Sequence, residues 1–226
     1  MKIIEKSLLF RIYASKPDAV QLVILCTSFS LALIGIRVAY TGDLLFLFLI
    51  WNLFLAFVPY WLSGWMSRNM KYKSKWNFFV CVFAWLLFIP NAFYIITDLF
   101  HLDMNIGVPL WFDLALLLGF AWNGLLVGII SMRQMEKLFE TYFNKKFDLL
   151  FVIPVMFLNG LGVYVGRYLR FNSWDAIINP LQLVQDMIYL FIHPLRSRFD
   201  WSMIICYSLL LTLIYVSVKR LGKAIS

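Results

Sequence analysis

What most constrains this chain is recurrence: apolar stretches of roughly 20 residues come round six times between Pro17 and Val218. Each is long enough, at about 1.5 Å per residue, to cross a hydrocarbon core about 30 Å thick. No water reaches backbone amides there, so a spanning segment is either a helix or part of a closed barrel. Barrel strands alternate apolar and polar residues over short segments, and these runs do not alternate. The chain reads as an all-α polytopic membrane protein, a single membrane domain over 1–226. Its spans are expected at about 17–40, 43–66, 75–99, 108–132, 148–168 and 201–218. Composition agrees: 62% of the residues are hydrophobic and 14% charged, against about 45–50% and 25% in soluble proteins. That balance excludes a water-soluble domain, and it excludes disorder, which needs low hydrophobicity and high charge.

The formal net charge of +8 would suggest a nucleic-acid partner in a soluble protein. Here the cations sit between apolar runs instead. The N-terminal arm carries Lys2, Lys6, Arg11 and Lys16, with no apolar region or cleavage site of a secretory signal. Arg68, Lys71, Lys73 and Lys75 follow span two, Arg133, Lys137, Lys145 and Lys146 follow span four, and Lys219, Arg220 and Lys223 close the chain. The turns at 40–43 and 100–109 hold no Lys or Arg. By the positive-inside rule both termini are expected to be cytoplasmic, with the lipid bilayer as partner and no nucleic acid. Only Arg167, Arg170, Arg196 and Arg198 break the pattern, flanking the longest external stretch. Within it Leu181, Val184, Ile188 and Phe191 recur at helical spacing, so about 172–198 reads as an external amphipathic helix. Cys26, Cys81 and Cys206 lie inside apolar runs without CxxC or metal-ligand spacing, and read as inert thiols.

Polar residues inside a span are expensive and usually face the bundle interior. In span three Pro90 frees backbone groups near mid-membrane, and Asn91, Tyr94, Asp98 and His101 follow along one helical face. Span four places Asp113 near its outer end and Asn123 deeper on the same face; span five places Asn159 near mid-depth and Arg167 and Arg170 at the outer rim. Gly162 and Gly166 form a GxxxG step that lets a neighbouring helix approach closely. Depth thus groups Asn91, Asn123 and Asn159 in a middle layer, and Asp98, His101, Asp113, Arg167 and Arg170 in an outer one. The expectation is an outward-facing polar cavity that binds an anionic or lipid-linked ligand for transport or membrane enzymology. Arg167 and Arg170 would hold the anion by bidentate hydrogen bonds, and Asp98, Asp113 and His101 are the acid–base candidates. A transporter this small would be expected as a homodimer.

The alternative is an assembly or accessory protein whose charged layer only locks helices together. With Asn91, Tyr94, Asn123 and Asn159, the residues Asn172, Trp174 and Asp175 are ligand-binding candidates in the first reading; in the second, Asn172 followed by Asp175 resembles a helix cap and Trp174 suits an interface belt. Asp98 and His101 have helical i,i+3 spacing, but no second histidine is close, so no metal or other cofactor is expected. No GxSxG, HExxH or Walker loop occurs, and no specific enzyme class is indicated.

Three stretches together resemble a known family: Leu87 to Leu102 (LFIPNAFYIITDLFHL), Pro109 to Leu114 (PLWFDL) continuing to Phe120 to Gly124 (FAWNG), and Gly162 to Asp175 (GVYVGRYLRFNSWD). The pattern is similar to the bacterial integral-membrane family catalogued as domain of unknown function 1361, over roughly Trp76 to Pro194. The resemblance implies a membrane fold in a bacterial plasma membrane and signature positions at Asn91, Tyr94, Asp98, His101, Asp113, Asn123, Gly166, Arg167, Arg170, Asn172, Trp174 and Asp175. It implies no activity.

Overall fold

The computed structural model describes residues 17–69, 74–102, 107–171 and 180–224. Seven α-helices and no strand occur among them: α1 Pro17–Thr41, α2 Phe48–Asn69, α3 Lys75–Tyr94, α4 Leu110–Phe143, α5 Leu149–Arg167, α6 Pro180–Ile192 and α7 Arg198–Ala224. All but α6 are long and apolar enough to cross a membrane. The fold is an all-α polytopic membrane bundle. Its outer surface is apolar, with Leu25, Phe29, Ile36, Phe83, Leu150 and Leu213 each more than half exposed, as a surface facing lipid tails must be.

α4 is the hub. It packs on α1, α2, α3 and the 3-10 turn that follows α3, while α5 packs on α3 and α7 packs on α5. Small residues set these approaches. On α4, a methyl group at Gly124 would lie 2.5 Å from the Ala92 carbonyl oxygen, and one at Gly128 3.0 Å from the Phe93 ring. The GxxxG step of α5 does the same for α3: a methyl at Gly162 would lie 2.6 Å from the Pro90 ring carbons, and one at Gly166 3.1 Å from the Tyr94 ring.

Two departures from the expected spans reposition polar residues. α4 runs 34 residues to Phe143, ending at Asn144 in the left-handed region (φ 51°), so Arg133 and Lys137 lie on the helix and not in a loop. At about 1.5 Å per residue it exceeds a hydrocarbon core of about 30 Å. α3 gives way at Ile95 to a 3-10 helix over Ile95–His101. Each residue there turns about 20° further than in an α-helix, which rotates Asp98 and His101 off the face that carries Asn91 and Tyr94. α6 starts at Pro180; the expected segment 172–179, with Asn172, Trp174 and Asp175, lies outside the described residues.

Candidate functional site

Among the described residues, three buried carboxylates anchor the bundle, and their surroundings differ. Asp113, on the first turn of α4, is 1% exposed and meets Arg37 of α1, also 1% exposed. Arg37 Nε donates to Oδ1 at 2.8 Å and Nη2 to Oδ2 at 3.3 Å, and the guanidinium lies 4.4 Å from the centre of the Phe46 ring. Both carboxylate oxygens are satisfied. The sequence places Asp113 at the depth of Arg167 and Arg170, but depth alone does not fix which way a helix face points, and α4 turns Asp113 toward α1. The same rotation removes Asn123 from the expected middle layer. Its amide donates to the Ser30 hydroxyl (2.9 Å) and to the Cys26 (3.1 Å) and Gly119 (2.9 Å) carbonyls, and its carbonyl accepts from Thr27 (3.1 Å). Asp113 and Asn123 join α1 to α4.

Glu136, fully buried at the far end of α4, accepts from Arg133 Nη1 (2.6 Å), the Tyr215 hydroxyl (2.5 Å) and Lys219 Nζ. Lys219 also bonds Asp148 at 2.8 Å. Glu136, Glu140 and Asp148 come close enough to share a cation, but the Lys219 ammonium already bridges two of them. Asp113 and Glu136 are twenty-three residues apart on α4, about 35 Å, so the two clusters sit one at each end of the bundle.

Asp98 is different. It is 1% exposed, and its hydrogen bond among the described residues is from a neutral group, Asn52 Nδ2 of α2 to Oδ2 at 2.9 Å. Its Oδ1 is buried without a donor among them. The nearest cation, Arg167 of α5, holds Nη1 3.9 Å from Oδ1 and spends that group on His101 Nε2, 3.1 Å away. A guanidinium only donates, so His101 accepts through Nε2 and carries its proton on Nδ1, as a neutral imidazole. Phe100 lies under Arg167 (5.3 Å to the ring centre) and Phe48 packs edge-on to His101 (5.3 Å). One arginine is thus held between two acceptors, fully bonded to one and short of the other.

A cavity of about 410 Å³ lies between α2, α3, α5 and α6, and it reaches this triad through Asn52. Its walls are mainly apolar, including Leu55, Leu86, Leu161, Val165, Leu183 and Met187, and among the described residues its polar side chains are Asn52, Asn91 and Tyr94. Gly162 and Gly166 line it too, so the glycine step that admits α3 also leaves room in the wall. Asn52 joins the two features, lining the cavity and bonding Asp98.

The remaining expected residues do not gather into one layer. Asn91 lines the cavity and donates to the Phe88 carbonyl at 3.0 Å, capping a group near the Pro90 break. Asn159 is fully buried, its amide on the Val155 carbonyl (2.8 Å) and its Oδ1 without a partner among the described residues; it does not meet Asn91 or Asn123. Arg170 does not share its face. α5 ends at Arg167, Arg170 takes a left-handed conformation (φ 57°), and the Phe171 amide hooks back to the Val165 carbonyl (3.2 Å), leaving Arg170 exposed. Asn172, Trp174 and Asp175 lie outside the described residues.

Sequence reasoning misses Arg37 and Asn52. Each is a lone polar residue within an apolar run, the signal that singles out Asp98. It also misses the knot in which the Ser131 hydroxyl meets Ser63 (2.9 Å), the Trp85 indole (2.9 Å) and the Pro59 carbonyl (2.9 Å); serine and tryptophan in apolar segments are too common to signal it.

Residues 51–214 match the family described as "Protein of unknown function (DUF1361)". The chain belongs to this family. The match spans α2 to most of α7 and takes in Asn52, Asp98, His101, Arg167 and the cavity walls, while α1, with Arg37, lies outside it. No curated protein and no solved structure matches the chain. It is an integral membrane protein of a family whose description assigns no activity.

Proposed function

We propose that this protein binds an amphiphile in a bacterial plasma membrane, its apolar tail in the cavity and its phosphate-bearing head beside Arg167. The observation that carries the reading is the contrast among the buried carboxylates. Asp113 and Glu136 are closed by direct hydrogen bonds from cations, whereas Asp98 is left with an unbonded oxygen and is joined through Asn52 to a cavity. An unsatisfied buried polar atom costs stability; the Arg37–Asp113 pair leaves a donor, Arg37 Nη1, without a partner among the described residues, and of the three buried carboxylates Asp98 is the one with an open oxygen. The cavity volume falls within the roughly 300–1,000 Å³ usual for small-molecule sites, which are mainly apolar with a few polar groups at one end. Arg167 keeps donors in hand for a phosphate, and α6, at the lipid surface, supplies Leu183 and Met187 to the wall. Lys and Arg counts in the connections favour cytoplasmic termini, which turns the Arg167 end outward.

Lipids carrying a photoreactive group in the acyl chain test this. Labelling is expected to concentrate on peptides around Leu86, Leu161 and Met187. It should fall at least about tenfold in Arg167→Ala, the loss of one charge-assisted contact of roughly 1.5–3 kcal/mol. Labelling spread evenly over the lipid-facing positions, Leu25 and Phe29 included, and unchanged in Arg167→Ala, would reduce the cavity to ordinary lipid contact.

A further inference from the structure

The hydrogen bonds at the polar end of the cavity also restrict the chemistry of the head. Asn52 lines the cavity and faces Asp98. An ionised carboxylate only accepts, so the amide turns its NH2 to Asp98 Oδ2 and has its carbonyl, an acceptor, to offer elsewhere. The other oxygen of the carboxylate it bonds, Asp98 Oδ1, is buried and without a donor among the described residues. The charges point the same way. Asp98 and Arg167 cancel, and His101, accepting from the guanidinium, is neutral. A head bringing only negative charge would leave an uncompensated charge beside a buried carboxylate, a costly arrangement in a low-dielectric site. Asp98, His101 and Arg167 do not themselves line the cavity; Asn52 links it to Asp98, and Gly166, on its wall, immediately precedes Arg167, whereas Arg170 is exposed.

Acceptors on one side and a guanidinium on the other fit a head that carries both signs. We propose that the occupant is a zwitterionic aminophospholipid, its phosphate on Arg167 and its primary ammonium donating to Asn52 Oδ1 and Asp98 Oδ1. This deepens the proposed amphiphile binding and rests on it. Binding would then draw Arg167 off His101 toward the phosphate and give Asp98 the donor it lacks.

The test is competition among phosphatidylethanolamine, phosphatidylcholine and phosphatidylglycerol of identical chains, presented in equal amounts to the purified full-length protein and counted by native mass spectrometry. Phosphatidylcholine keeps the zwitterion but has no N–H; phosphatidylglycerol keeps donors but is anionic. Phosphatidylethanolamine is expected to be retained about tenfold over both, the equivalent of one charge-assisted hydrogen bond. Asp98→Asn, which keeps shape but removes the charge, is expected to abolish that preference. Equal retention of phosphatidylethanolamine and phosphatidylcholine, or preference for phosphatidylglycerol that Arg167→Ala removes, overturns the head assignment while leaving amphiphile binding intact. No discrimination in the wild type together with no effect of Arg167→Ala overturns both. Phosphoethanolamine without tails is expected not to compete at lipid concentrations; effective competition would assign the site to a soluble ligand and overturn the amphiphile.

Discussion

Replacing Asp113 and Asp98 one at a time by asparagine sets the two ion pairs against each other. In Asp113→Asn the Arg37 guanidinium, 1% exposed and bonded through Nε and Nη2, stays charged with no counterion. Breaking a buried pair in this way costs about 3–5 kcal/mol. In Asp98→Asn the Asn52 bond has a carbonyl to go to, and Arg167, 17% exposed, keeps His101. The attraction lost acts across 3.9 Å without a hydrogen bond, and removal of an incompletely compensated buried charge offsets it. The net change is expected to stay within about 1 kcal/mol. The assay is reversible unfolding in mixed micelles, following helical signal against the denaturing detergent fraction. The double variant Arg37→Met with Asp113→Leu is expected to recover most of the Asp113→Asn loss, since an apolar pair of similar volume replaces the ions. Equal losses in Asp98→Asn and Asp113→Asn would make both pairs locks and remove the reason for regarding Asp98 as a working group.

Other perturbations read single contacts. Gly162→Ala is expected to cost about 1–3 kcal/mol in the same assay, because the new methyl meets the Pro90 ring at 2.6 Å, whereas Gly35→Ala, with nothing within 4 Å, serves as the neutral control. Tyr215→Phe removes one hydrogen bond to the buried Glu136 carboxylate and is expected to cost roughly 1.5–3 kcal/mol; an unchanged midpoint would show that Arg133 and Lys219 suffice. In a background lacking Cys26, Cys81 and Cys206, an impermeant thiol reagent added outside intact cells is expected to label Tyr40→Cys and spare Lys145→Cys; the reverse pattern would turn the cavity toward the cytoplasm.

The helices are legible in the sequence because each is a long apolar run, and a 3.6-residue period with a membrane-length limit leaves few alternatives. Part of the expected grouping is a contact in the fold: of the five residues placed in the outer layer, Arg167 meets Asp98 and His101. Rotation is not. Depth counts residues along an axis, and which neighbour a face meets depends on packing that a hydropathy pattern does not contain. Asp113 and Asn123 therefore go to α1, where Arg37, Thr27 and Ser30 receive them. Two local changes of backbone are equally hidden. The tightening to a 3-10 helix at Ile95 turns Asp98 inward, and the left-handed Arg170 takes that arginine off the α5 face. The GxxxG step signals a close approach from sequence alone; its partner, the Pro90–Tyr94 stretch, emerges only in the packed bundle.

The central claim is that the space beside Asp98 and Arg167 holds a ligand. An electron density map of the protein extracted in its native lipids reads this directly. Expected is elongated non-protein density within the cavity, passing Leu86 and Leu161, with a strong head feature in bonding distance of Arg167. A cavity filled by its own side chains, with Arg167 closed onto both oxygens of Asp98, would contradict it.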